Sequence, residues 1–101
     1  MNEQEFFDSL KLNKCPEQLN PYLQALWYDA TGDWDTAHEI VQQMDDATAA
    51  RIHAYLHRKE GDEWNSRYWH RRAGTSYPEN TGFEKEWEYL VNMLVEKYIF
   101  T

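Results

Sequence analysis

Hydrophobic residues recur every three to four positions in six segments of the chain, and each segment is bounded by Gly, Pro or a cap-forming residue. This period is typical of an α-helix that buries one face. The longest stripe lies near the C-terminus and consists of Phe83, Trp87, Leu90, Val91, Leu94 and Tyr98, with Lys85, Glu86, Glu88, Asn92 and Glu96 on the opposite face. No segment alternates with the period of two that is typical of a strand. The pattern therefore predicts an all-α fold, a compact bundle of about six helices.

Capping residues indicate where these helices begin and end. Four of the predicted helices each follow an Asn or Asp, which are favoured N-cap residues. These residues are Asn20, Asp33, Asp46 and Asp62. Asn20 is followed by Pro21, which is favoured at the first helical position. Gly32 and Gly61 follow two helices and suit the left-handed conformation that ends a helix. Two capping boxes are also predicted, Asn2 with Glu5 and Thr81 with Glu84.

A chain of 101 residues forms about one small domain. The dipeptide Gly32-Asp33 recurs as Gly61-Asp62, and each joins two predicted helices by a minimal turn. The single domain 1–101 therefore divides into an N-terminal helix and linker (1–19), a first hairpin (20–45), a second hairpin (46–74) and a C-terminal capping helix (81–101). The terminal helices are expected to cover the outer faces of the two hairpins, because stacked repeats need neighbours.

The two Gly-Asp segments resemble the tetratricopeptide repeat (TPR) and its Sel-type relatives. GDWDTAHEIVQQM and GDEWNSRYWHRRAG resemble the turn and second helix of such a repeat, although their spacing is shorter than the usual ~34 residues. The resemblance implies antiparallel helical hairpins. The longer segment HAYLHRKEGDEWNSRYWHRRAG resembles a signature of short, mostly bacterial proteins to which no activity is assigned, so it implies a fold and transfers no mechanism.

Charge and cysteine content narrow the choice of partners. The net charge is −8, and phosphate backbones repel such an acidic chain, so we expect no binding to nucleic acid. Only residues 51–72 are basic, with six Lys or Arg against three Asp or Glu. Cys15 is the single cysteine, the N-terminus lacks an apolar signal segment, and no apolar run reaches the ~20 residues of a membrane span. We therefore expect a cytoplasmic protein with no membrane partner.

Motifs of common enzyme classes are absent from the sequence. It contains no Walker A motif, no dinucleotide-binding glycine pattern, no nucleophile elbow and no C-x-x-C. His38-Glu39 begins a near match to H-E-x-x-H, but Gln42 replaces the second zinc ligand. We therefore expect no cofactor and lean towards a non-enzymatic protein.

The fifth predicted helix carries the leading candidate site. Trp64, Tyr68, Arg71 and Arg72 share one face, opposite Ser66, Trp69, His70 and Ala73. Trp, Tyr and Arg are the residue types in which binding energy concentrates at protein interfaces. This aromatic–arginine face predicts a protein or peptide partner, and Arg would favour an acidic one. The alternative is that the two aromatic rings pack under the sixth helix while the arginines pair with the chain's own acids.

A histidine cluster is the second candidate, and it would make the protein a metal-binding protein or a metal-dependent enzyme. His53, His57 and Glu60 lie within one helical face at spacings of four and three residues. Two imidazoles and a carboxylate can bind a transition metal, with His38 or His70 as a further ligand. The alternative is that these histidines are ordinary packed side chains, each with one nitrogen hydrogen-bonded.

Self-association without any ligand is a third hypothesis. Ile99 and Phe100 lie outside the main stripe of the sixth helix and could bury against a second copy, which would make a homo-oligomer.

Overall fold

The computed structural model describes residues 3–17 and 19–98, with side chains for 4–17 and 19–95. Those residues contain six helices and no strand: α1 (Glu3–Leu12), α2 (Pro21–Ala30), α3 (Trp34–Gln42), α4 (Ala47–Lys59), α5 (Glu63–Ala73) and α6 (Phe83–Tyr98). The prediction of an all-α bundle of about six helices is confirmed. Antiparallel neighbours pack most extensively, α4 with α5 and α2 with α3, and α6 lies against α2 and α4.

Four of the predicted N-caps form. The side chains of Asn20, Asp33, Asp46 and Asp62 each accept a hydrogen bond from the backbone N–H three residues further on, over 2.8–3.2 Å. Thr81 is an exception, because α6 begins at Phe83 and its N-cap position is therefore Gly82. The predicted cap Asn2 lies outside the described residues.

The two Gly-Asp turns have the same backbone hydrogen bonds. Gly32 N–H donates to the carbonyl of Asp29 and Asp33 N–H to that of Tyr28. Gly61 and Asp62 repeat both bonds one hairpin later. This pattern is the Schellman motif, which requires a left-handed residue, and Gly32 and Gly61 have φ of +88° and +90°. The repeat seen in the sequence is thus also a repeat of turn geometry.

The core lies between the two hairpins and the terminal helices. Its fully buried large side chains include Phe6 of α1, Leu23 and Leu26 of α2, Ile52, Tyr55 and Leu56 of α4, and Leu90 and Leu94 of α6. Indole N–H groups join the elements, because Trp27 donates to the Ser9 hydroxyl at 2.9 Å and Trp87 donates to the Leu26 carbonyl at 3.0 Å. The described apolar residues of these helices therefore face one common core, with Phe83 as an exposed exception.

Two residues of α6 depart from their predicted faces. Phe83, predicted in the buried stripe, is 42% exposed, and Glu86, predicted on the opposite and exposed face, is only 4% exposed. Its carboxylate accepts a hydrogen bond from Arg58 of α4 at 2.9 Å, and the Arg58 guanidinium also donates to the Thr81 carbonyl. This contact between helices explains the burial, since a carboxylate leaves water only when it gains a partner.

The described residues include no helix that is long and apolar enough to cross a membrane.

Candidate functional site

The aromatic–arginine face of α5 points to solvent. Trp64 is 73% exposed, Arg71 and Arg72 are exposed, and Tyr68 is partly buried. On the opposite side of the helix, Ser66 and His70 are buried. The side chain of Ser66 donates to the Ala54 carbonyl at 2.7 Å, so α5 approaches α4 closely along that side. The aromatic rings therefore do not pack under α6.

Arg72 is held in place largely by aromatic rings. It donates to the Tyr68 hydroxyl at 3.1 Å, and its guanidinium carbon lies 5.1 Å from the centroid of the Trp69 ring. Its ion pair with Asp45 is 3.6 Å long, and that carboxylate side chain is 99% exposed. Within the described residues Arg71 forms no ion pair. The face therefore offers two guanidinium groups that the chain itself barely neutralises.

Three histidines from two helices meet beside this face. His38 comes from α3, and His53 and His57 come from successive turns of α4. The Nε2 atoms of His38 and His53 are hydrogen-bonded at 2.9 Å. Each of the three residues offers a ring nitrogen, and these nitrogens lie within 4.8 Å of one another. We refer to His38, His53 and His57 as the histidine cluster.

Two tryptophans form the walls of the histidine cluster. The ring of Trp34 stacks on His38 with centroids 4.9 Å apart, and the ring of Trp69 stacks on His53 at 3.9 Å. The indole N–H of Trp34 donates to the Leu56 carbonyl at 2.7 Å, which fixes its orientation. Burial is deep on the α4 side, where His53 is 4% exposed, whereas His38 is only partly buried. The cluster is therefore accessible from the side of α3.

Glu60 binds His57 but does not join the other two histidines. Its carboxylate accepts a hydrogen bond from His57 Nδ1 at 2.7 Å. That bond leaves Nε2 as the nitrogen of His57 that is free for another contact. Asp62 also lies close to this pair, but its carboxylate caps α5 and binds Asn65.

The surroundings keep two imidazoles of the cluster, His38 and His53, uncharged near neutral pH. Burial, followed by the neighbouring His38 and His57, lowers the pKa of His53 to about 3. Burial also lowers the pKa of His38, and His57 adds to that effect. His38 and His53 therefore present neutral imidazoles with a lone pair each.

His70 does not belong to the cluster. Its Nδ1 is hydrogen-bonded to the Thr75 hydroxyl at 2.8 Å, and its ring packs against Tyr77 at 6.0 Å. Of the two further ligands considered from the sequence, the fold brings His38 into the cluster and leaves His70 outside it. Sequence reasoning did not single out Trp34 as part of a site, although Trp34 and His38 have the same four-residue spacing as His53 and His57.

A cavity of about 450 Å³ lies away from both candidate sites, and its lining includes Asp29, Tyr55, Lys59 and Trp87. The polar groups that line it are hydrogen-bonded to one another. The Asp29 carboxylate accepts hydrogen bonds from the Tyr55 hydroxyl at 2.6 Å and from the Lys59 ammonium at 2.9 Å. No orphan polar atom in this part of the described structure calls for a ligand.

Comparison with known proteins adds no relative: no family model, curated protein or solved structure matches this chain. The TPR-like and Sel-type resemblance therefore stays a prediction.

Proposed function

We propose that this protein is a non-enzymatic interaction module that binds an acidic segment of another protein through the aromatic–arginine face of α5. The observation that carries the proposal is the exposure of Trp64, which is 73% accessible to solvent on a surface that also bears Arg71 and Arg72. Indole and guanidinium groups dominate the energetics of many protein interfaces.

Charge favours an acidic partner over other proteins. The chain carries a net charge of −8, yet this face has guanidinium groups with few carboxylates of their own. Arg can grip a carboxylate through two parallel hydrogen bonds, and an adjacent Trp or Tyr ring supplies apolar contact. A segment that alternates Asp or Glu with an aromatic residue would use both properties. The proposal includes a cytoplasmic location, where the lone thiol of Cys15 would stay reduced.

The proposal is tested with a labelled synthetic peptide of alternating acidic and aromatic residues, titrated with the full chain in a fluorescence-anisotropy assay. Trp64→Ala combined with Arg71→Glu should weaken binding by about 10-fold or more, because it removes one aromatic and one ionic contact. Tyr89→Ala is the matched control, since Tyr89 is 53% exposed on α6 and should bind the peptide as the wild type does.

A basic peptide of the same length should not bind, and added salt should weaken the acidic complex. Equal affinity of the double variant and the wild type would refute the assignment of this face. Light scattering on the free protein tests self-association, including the hypothesis on Ile99 and Phe100, which lie outside the described residues. If the protein forms a dimer in which Trp64 is buried, the partner of this face is a second copy of the chain and not an acidic segment.

A further inference from the structure

We propose that His38, His53 and His57 bind one first-row transition-metal ion, with Zn²⁺ as the reference ion, and that they leave a fourth coordination position open. The site is separate from the docking proposal, because none of its three ligands lies on the aromatic–arginine face.

The distances suit a single ion. Zn²⁺ binds imidazole nitrogen at about 2.0–2.1 Å, so two nitrogens of a tetrahedral site lie roughly 3.4 Å apart. The Nε2 atoms of His38 and His53 are 2.9 Å apart, and all three ring nitrogens fall within 4.8 Å of one another. Side-chain rotations that bring the more distant nitrogens from at most 4.8 Å to roughly 3.4 Å apart would place all three around one ion. The ion would then replace the proton shared between His38 and His53.

The donor atoms also suit a transition metal. Each neutral imidazole offers a metal ion one nitrogen lone pair. Imidazole ligands favour Zn²⁺, Cu²⁺, Ni²⁺ and Fe²⁺ over Mg²⁺ or Ca²⁺, which prefer oxygen.

The side chains around the three histidines hold their rings in fixed orientations. Metal-bound histidines generally donate their other ring N–H to a carboxylate or carbonyl, and His57 donates Nδ1–H to Glu60 at 2.7 Å. Trp34 and Trp69 stack on His38 and His53, so two of the three rings have little freedom to turn away. Glu60 is thus a positioning residue and not a ligand.

Folding alone does not account for this arrangement well. Burying polar rings side by side costs desolvation, and one hydrogen bond between His38 and His53 offsets only part of that cost. A set of three protein ligands is the arrangement in which Zn²⁺ keeps a water or another exchangeable ligand. The open position would face the accessible, α3 side of the cluster.

The first experiment measures metal content of the full, untagged chain after dialysis against Zn²⁺, followed by elemental analysis. We expect one equivalent for the wild type. His38→Gln should lower the affinity for Zn²⁺ at least about 100-fold, because one of three ligands is lost. His70→Gln is the matched control, since His70 is a buried histidine outside the cluster, and it should retain the full equivalent.

The second experiment tests the positioning role of Glu60. Glu60→Gln should lower Zn²⁺ affinity about 10- to 100-fold, the usual loss when a carboxylate behind a metal-bound histidine is removed. Glu63→Gln is its control, because Glu63 is a nearby exposed acid that pairs with Arg67. A loss of the same size in both variants would mean that the acidic surface merely attracts the cation.

Two measurements on the wild type keep the test valid if a variant does not fold. Co²⁺ should give the intense visible absorption of a tetrahedral ion, and nitrogen NMR of the imidazoles should show Zn²⁺-dependent shifts for His38, His53 and His57 but not for His70. Less than about a tenth of an equivalent of bound metal together with an unchanged melting temperature would overturn the proposal. Binding that persists in His38→Gln would overturn it as well.

Discussion

His53 and His70 are both buried histidines with lowered pKa values, about 3 and about 4, but their neighbours differ. His53 stacks on Trp69 and contacts two other imidazoles. The pKa of His70 is lowered by burial and, in addition, by the positive charges of Arg51, Arg58 and Arg67. In each case the folded state disfavours the imidazolium, which an unfolded chain forms below about pH 6.5.

Acid should therefore destabilise the protein through these two residues. Since the folded pKa lies below the unfolded one, the stabilising contribution is complete above about pH 6.5. It is lost as the pH falls from there towards 4, by about 1 kcal/mol per pH unit for each imidazole. Urea unfolding at pH 7.5, 6 and 5 measures this loss for the wild type and for His70→Leu.

The difference between the two proteins cancels the titration of the carboxylates, which changes stability in both. The penalty for His70→Leu should shrink as the pH falls, because the variant has one fewer buried imidazole to protonate on unfolding. A penalty that is independent of pH would contradict a lowered pKa for His70.

At the scale of single residues, the sequence indicates which side chains of one helix lie together, but not which side chains of other helices join them. The spacing of His53 and His57 follows from the helix period, because both lie on α4. The choice between His38 and His70 depends on how α3 and α5 pack against α4, and no local pattern encodes that packing.

At the scale of elements, the conformation of the two Gly-Asp turns gives a prediction that depends only on the backbone of each turn. A Cβ added at Gly32 or Gly61 would meet no atom within 4 Å, so the cost of a substitution comes from the backbone alone. The positive φ of each glycine is a conformation that costs an L-residue about 1–2 kcal/mol.

Gly32→Ala and Gly61→Ala should therefore each lower the free energy of unfolding by about 1–2 kcal/mol, and by similar amounts. Gly32→Asn and Gly61→Asn are the controls, because Asn tolerates the left-handed conformation better than Ala does, so each should lose less than the Ala variant at the same position. Chemical denaturation of the four variants makes the comparison. Equal losses for Ala and Asn at each position would show that the turn conformation is not the cause.

The predicted caps at Asn20, Asp33, Asp46 and Asp62 are confirmed because, like these turns, they depend only on residues close in sequence. An Asp or Asn that binds the N–H three residues ahead needs only its own helix, as Asp46 and Asp62 illustrate. The cap predicted at Thr81 is wrong, because α6 begins at Phe83. The Thr81 carbonyl instead accepts a hydrogen bond from Arg58 of a distant helix, which no local pattern shows.

At the scale of the whole molecule, Arg58 joins the second hairpin to α6. Its guanidinium donates to Glu86 at 2.9 Å and lies 4.9 Å from the ring centroid of Phe83. Both charged groups are largely buried, at 11% and 4% side-chain exposure. The helix pattern of α6 alone could not reveal this, because a lone Glu beside an apolar stripe is usually solvated.

Arg58→Met should destabilise the protein by about 3 kcal/mol at pH 8, because it leaves the Glu86 carboxylate buried without its partner. Arg58→Met combined with Glu86→Leu should recover most of that loss, since neither charge remains. Burial raises the pKa of Glu86 even with Arg58 present, so the single variant should be less destabilised at pH 5.5 than at pH 8. Thermal or urea unfolding checks all three expectations; a double variant no more stable than Arg58→Met would argue against a buried charge as the cause.

The indole of Trp69 touches both candidate sites, since one contact is the His53 ring and another is the Arg72 guanidinium. Any shift of that indole on loading one site would be felt at the other. Thermodynamic linkage would then be mutual. If the bound ion raises the affinity for the peptide by some factor, the bound peptide raises the affinity for the ion by the same factor.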